Sequence, residues 1–177
     1  DPAIGCQRYG LSAQGRQQVL GSISAFDGAP ITQVICSDFL RTRQTAEIVT
    51  DYLGLTEAQL ETGLRERFFG CRDNQCDSGY SAIWQQDQHS DENTSGGVES
   101  PLAVQRRALT LLARLEQQYQ HQRLLLVSHG DLLQILRTAF EGLPAGQHRQ
   151  LAHHQTAEIR RLIAQGAPYP TTWPTEK

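Results

Sequence analysis

Leu124-Leu125-Leu126-Val127-Ser128-His129-Gly130-Asp131 decides the fold class. The bare apolar run Leu124 to Val127 reads as a strand of a sheet covered on both faces. A helical pattern from Leu132 to Phe140 follows at once and is ended by Gly142. In α/β sheets, ligands gather at the carboxyl ends of strands. The start of the next helix offers free N–H groups and a positive dipole end to an anion. His129 at that tip can donate a hydrogen bond to a phosphoryl oxygen, and Gly130 lets a ligand come close to the backbone. A structural His satisfied within a loop is the alternative reading of this stretch on its own.

Working outward, Ile31 to Cys36 is a second short strand, after Gly28-Ala29-Pro30. A helix follows from about Leu40 to Leu53 and is closed by Gly54. Ser12 can cap a helix with apolar positions Val19, Leu20, Ile23 and Phe26. Ser100-Pro101 places a capping hydroxyl before a Pro at the first helical position. That helix carries Leu102, Val104, Leu109, Leu112, Leu115 and Tyr119. Thr156 to Ala164 alternates loosely and is expected to form a last strand. Between the helices, Asp73 to Gly97 is polar and reads as a long irregular insertion, of the kind used for lids and binding loops. Strands alternating with helices make an α/β sandwich, here one domain over residues 1–177.

Composition narrows the function classes. The 177 residues are 38% hydrophobic, enough for one sizeable core. A net charge of −3 argues against a general partner in nucleic acid or anionic membrane. Leu124 to Val127 is the longest apolar run, far too short to span a bilayer. Cys6, Cys36, Cys71 and Cys76 read as reduced thiols, which points to the cytoplasm. The chain starts Asp1-Pro2 and has no Met, so a segment is expected upstream, and a secretion signal could have left with it. Nothing in the sequence sets the oligomeric state.

Two more stretches carry chemistry. In Ser37-Asp38-Phe39-Leu40-Arg41-Thr42-Arg43-Gln44-Thr45-Ala46, Arg41 falls in the first turn of a helix, where the dipole disfavours a cation. An anion is then its expected partner, because a guanidinium grips phosphate bidentately. A surface salt bridge is the plainer reading, and Arg43 fits that role better. In Leu64-Arg65-Glu66-Arg67-Phe68-Phe69-Gly70, Glu66 is either part of a solvated charge run or a carboxylic acid at a pocket edge. Beside an apolar wall and a bound anion its proton affinity rises, which suits a general acid.

Together these stretches resemble the histidine phosphatase superfamily, also called phosphoglycerate mutase-like. Ser37 to Ala46 is similar to its phosphate-binding Arg motif, and Leu64 to Gly70 to its Leu-x-Glu-Arg-x-(Phe/Tyr)-Gly proton-donor motif. Ser128-His129-Gly130 resembles its second catalytic His. Gly10-Leu11-Ser12-Ala13-Gln14-Gly15 and Gly96-Gly97-Val98-Glu99-Ser100 resemble its Leu-(Ser/Thr)-x-x-Gly helix start and Gly-Glu-Ser turn. The order matches the family's and runs from Gly10 to about Leu162. One departure is large: no His here is preceded by Arg and followed by Gly, so the family's nucleophilic Arg-His-Gly is absent. In relatives it ends a central first strand, about twenty residues before the Leu-Ser helix start, which here falls upstream of Asp1.

The resemblance implies a three-layer α/β/α sandwich around a mostly parallel sheet. It implies a phosphomonoester hydrolase that forms a phosphohistidine on a small phosphorylated metabolite. Arg41, His129 and the N–H groups after His129, including that of Gly130, would hold the phosphoryl oxygens. Glu66 would protonate the leaving oxygen and then activate water. No cofactor and no metal are required; Cys71-x4-Cys76 and the His153-His154 pair read as isolated polar residues. The insertion 73–97 would cap the substrate side. It is short, acidic and free of Lys, which favours hydrolysis over mutase-type phosphoryl transfer. The alternatives are that transfer, or a phosphate-binding pseudophosphatase without turnover.

Overall fold

The computed structural model describes residues 9–73 and 79–162. Ser12 Oγ accepts the Gly15 N–H at 3.0 Å and starts helix α1 (Ala13–Ser24). Strand β1 (Gln33–Cys36) leads into α2 (Leu40–Leu53), which Gly54 ends in the left-handed conformation at φ 65°. Strand β2 (Gln59–Leu60) and helix α3 (Ser81–Asp87) come next. Ser100 Oγ caps α4 (Pro101–Gln118) on the Ala103 N–H at 3.2 Å. Strand β3 (Leu124–Val127) and helix α5 (Gly130–Glu141) follow.

The strands are parallel in the order β2-β1-β3, with Gln33 opposite Leu124 and Cys36 opposite Val127. Side chains alternate between two helical layers. Val34, Cys36, Leu125 and Val127 pack with Val19 and Ile23 of α1 and Ala46 and Val49 of α2. Ile35, Leu124 and Leu126 turn the other way, onto Leu111 and Leu115 of α4. Leu132, Ile135 and Leu136 of α5 pack behind Leu126. Two covered faces explain why Leu124 to Val127 shows no polar alternation. The layers make the expected α/β/α sandwich, and β1 and β3 end side by side, with the Ser37 N–H donating to the Val127 carbonyl at 3.0 Å.

Two expectations need correction. Residues 156–162 form no strand; 163 and 164 lie outside the described residues. Strands exist by pairing, and the outer edge of β3 has no partner strand among the described residues. A cavity of about 720 Å³ runs along that edge, lined by Leu124 to Val127, Leu112, Leu115, Ala157 and Ile159. The insertion 73–97 is not irregular throughout, because it contains α3 and a 3-10 turn at Ser95–Gly97. Ile83 of α3 packs with Phe69 and Val98, and Tyr80 stacks on Phe69 at 3.9 Å, so the segment has a small core of its own. Cys6 and Cys76 lie outside the described residues. No helix among those described is long and apolar enough to cross a membrane.

Candidate active site

The ends of β1 and β3 bring the three chemical stretches together. Thr42 Oγ1 donates to the Ser37 and Phe39 carbonyls at 2.9 and 2.8 Å, fixing the start of α2. Arg41, in its first turn, points Nη2 at His129 Nδ1, 2.8 Å away. Phe39 backs both groups: its ring lies 5.0 Å from the guanidinium and 4.8 Å from the imidazole. A guanidinium only donates, so Nδ1 is the acceptor and the ring proton sits on Nε2. From there it donates to Ser37 Oγ at 3.0 Å. Burial first, then the Arg41 and Arg107 charges, push the His129 pKa down to about 3. His129 is therefore a neutral ring beside the Arg41 guanidinium, for which no ion pair is seen among the described residues.

Glu66 sits across from this pair and is partly exposed. Helix α5 has no side-chain cap of its own. Glu66 Oε1 supplies one, accepting the Leu132 N–H at 3.2 Å and the Arg67 N–H at 2.9 Å. Of the N–H groups expected to face a phosphoryl group, that of Leu132 is thus already engaged. Burial, and next the Asp131 charge, raise the Glu66 pKa to about 7, while Arg41 pulls the other way. A carboxyl poised there can both give and take a proton near neutrality. The expected aromatic wall is not its seat: Phe69 packs with Ile83 and Val98, and Phe68 is 40% exposed. Gly130 is exposed at the head of α5, with open space where a Cβ would stand. Arg41, Glu66, His129 and Gly130 all line the cavity beside β3.

The charge run around Glu66 is paired, and its Arg67 is buried. Arg65 grips Asp38 at 2.8 and 2.5 Å, which holds the Asp38 carboxyl below its usual range. Arg67 is fully buried and donates to both oxygens of Asp87, at 2.6 and 2.9 Å. It also reaches Asp131 Oδ2 at 3.3 Å and the Glu99 carbonyl at 2.7 Å. Asn93 Nδ2 donates to Asp87 Oδ1 at 2.9 Å. His148 Nε2 faces Asp131 Oδ1 at 3.4 Å, and Arg149 lies 3.9 Å from Asp131 and 3.9 Å from the Trp84 ring centre. Arg107 of α4 clasps Glu99 at 2.7 and 3.0 Å and the Gly63 carbonyl at 2.8 Å, holding the Gly-Glu-Ser turn against the Glu66 loop. Sequence reasoning missed Ser37, Arg67, Asp87, Arg107 and His148 as supports. Asp131 alone left a signal, an acid in the first turn of the helix after His129. Arg43 is exposed, as its plainer role requires. Among the described residues, no three His, Cys, Asp or Glu side chains form a metal-binding group.

The chain is similar to known proteins in sequence and in fold. The protein named "Probable phosphoglycerate mutase GpmB" in Escherichia fergusonii is 31% identical over 149 residues, 80% of this chain and 67% of that protein. Its namesake in Erwinia tasmaniensis is 29% identical over 167 residues, 90% of this chain and 75% of that one. Among solved structures, a mycobacterial glucosyl-3-phosphoglycerate phosphatase complexed with VO3 superposes with a TM-score of 0.71 at 24% identity, covering 89% of this chain and 84% of the other. An Escherichia coli protein solved as a candidate alpha-ribazole-5'-P phosphatase superposes at 0.64 with 27% identity, covering 84% and 74%. The family model of the histidine phosphatase superfamily, branch 1, matches residues 3–173, and with these motifs converging at one sheet edge the chain belongs to that superfamily.

Proposed function

We propose that this member of the superfamily hydrolyses a phosphomonoester of a small phosphorylated metabolite through a phosphohistidine. The observation that carries the reading is Glu66, poised near pH 7 in the same cavity as the Arg41–His129 pair. Arg41 and His129 hold the phosphoryl oxygens, and Gly130 opens the backbone of α5 to them. Glu66 gives its proton to the leaving oxygen, then takes one from the attacking water. The nucleophile of this reading is the His of the family's Arg-His-Gly motif, which the given sequence does not contain. The buried Cys36 thiol, its pKa raised by burial to about 11, suits a reducing compartment such as the cytoplasm.

Glu66→Gln tests the assignment. Alkyl phosphates, whose alkoxide leaves badly, are expected to lose about a hundredfold in single-turnover phosphorylation rate. Aryl phosphates with an acidic phenol need little protonation and keep most of theirs. Equal losses for the two classes would mean that Glu66 positions substrate and is not the acid. Arg41→Ala is expected to lower kcat/KM for either class by roughly 3 kcal/mol of transition-state stabilisation, the loss typical of one preorganised donor. Its thermal midpoint stays near that of the wild type, because no core volume is removed. Unchanged kcat/KM would sink the role of Arg41.

The names of the relatives favour one second reading, transfer between phosphoglycerate positions. Release of inorganic phosphate without isomerised product decides for hydrolysis. Binding without any turnover decides for a pseudophosphatase.

A further inference from the structure

Glu66 and Asp131 are bracketed by the same two residues. The Arg67 N–H donates to Glu66, and the Arg67 guanidinium sits on Asp131. Leu132, next to Asp131, donates its N–H to the same Glu66 oxygen. Asp131 is buried, with a relative exposure of 6%. An acid in a helix's first turn needs no such burial to serve the dipole. The single positive charge of Arg67 is shared, and its bidentate grip goes to Asp87. Asp131 is left with a longer 3.3 Å contact on Oδ2. Among the described residues its Oδ1 has no hydrogen bond of good geometry, and neither has the His148 Nε2 that faces it at 3.4 Å. A buried carboxylate held this loosely is destabilising and calls for a functional reason.

We propose that Asp131, held beside the Glu66 carboxyl by Arg67 and His148, is a positioning residue that governs when Glu66 carries its proton. The inference rests on the reading of Glu66 as the acid and adds the residue that tunes it. Burial opposes the charged form of Asp131, but His148 and Arg67 hold its carboxyl below the usual range, so it is an anion at working pH. Its charge then disfavours a second charge on Glu66. The groups facing Glu66 from the other elements are Arg41 on α2, His129 at the head of α5, and Arg107 on α4, whose Nη2 donates to the Glu66 carbonyl at 3.3 Å. His129 is neutral, and the cations favour the carboxylate, so Asp131 is the one anion among these neighbours that works the other way.

The test is a direct titration of the Glu66 carboxyl by carbon-13 NMR in the whole protein, which needs no turnover. Asp131→Asn keeps the shape and an acceptor for Arg67 but removes the charge. The Glu66 midpoint is expected to fall by about one pH unit, a tenfold loss of proton affinity. The alkaline limb of kcat/KM for an alkyl phosphate moves down by the same amount, while the aryl phosphate profile stays in place. Arg149→Gln, at a partly exposed position 3.9 Å from Asp131, removes a cation and moves the midpoint upward by a smaller amount. That variant keeps the test open should Asp131→Asn fail to fold. An unmoved midpoint in either folded variant overturns the inference whatever the activity. Shifted midpoints in a protein that hydrolyses nothing count against the functional reading alone.

Discussion

Arg67→Met is expected to lower folding stability by about 3–5 kcal/mol, the loss seen when one partner of a buried ion pair is removed. Met matches much of the length of Arg, so little volume is lost. What is lost is the only guanidinium among the described residues that touches both Asp87 and Asp131. Both Arg67 and Asp87 have no exposed side-chain surface, so water cannot replace the contact. Two carboxylates would then stand buried with one fewer cation between them. Urea denaturation at pH 7 measures the effect. The deficit should narrow as the pH falls into the acid range, because the variant's stranded Asp131 charge disappears on protonation. Adding Asp87→Leu to the Arg67 variant should restore part of the stability, because the pair is coupled and the stranded anion is gone. A deficit under about 1 kcal/mol would show that water or relaxation satisfies the site, contrary to the burial seen here.

The second large effect is acid sensitivity through His129. Its pKa falls from 6.5 to about 3 on folding, so its contribution to stability is complete above pH 6.5 and is lost as the pH falls through 3. Integrated over that window, the single group accounts for about 5 kcal/mol. His129→Gln can accept from Arg41 and donate to Ser37 as the ring does, without titrating. Denaturant midpoints of the two proteins should converge or cross between pH 6.5 and 4, with the wild type falling faster. Glu66 acts in the opposite sense. Its folded pKa is raised from 4.5 to about 7, so its contribution is full below pH 4.5 and lost as the pH rises through 7. It is present in both proteins and drops out of the comparison. Parallel curves for the wild type and His129→Gln would mean that His129 is hydrated in solution, and its neutral state at the site would fall with it.

How much could be read from the chain differs by element. The caps Ser12, Gly54, Ser100 and Gly142 and the strands β1 and β3 follow from local chemistry, and the structure agrees to within two residues. The last strand failed because a strand is a property of a pair, and the edge it needs is unpaired here. Arg41 and His129 stood out because helix starts after strands restrict what a charged or titratable residue can be doing there, and Glu66 because two Arg and two Phe residues flank it. Arg67 was invisible. Between Glu66 and Phe68 it looks like a surface charge, and its real surroundings, Asp87 and Asp131, lie 20 and 64 residues away. His148 lies in a 3-10 turn with no periodic signal, and its burial depends on the docking of α5.

The contact between Arg149 and Trp84 has a spectroscopic consequence. The guanidinium lies 3.9 Å over the indole ring, and the buried indole N–H has no partner among the described residues. Trp84 belongs to α3, in the same segment as the Asp87 that grips Arg67. A cation on the ring face and a dry N–H give an indole an emission unlike that of one in water. The sequence has one other tryptophan, Trp173, so a single substitution there isolates the signal. Fluorescence of Trp84 would then report, without a label and without substrate, whether α3 is seated on the buried ionic cluster, and a change in emission on adding an anion would reveal communication between the phosphoryl pocket and that helix.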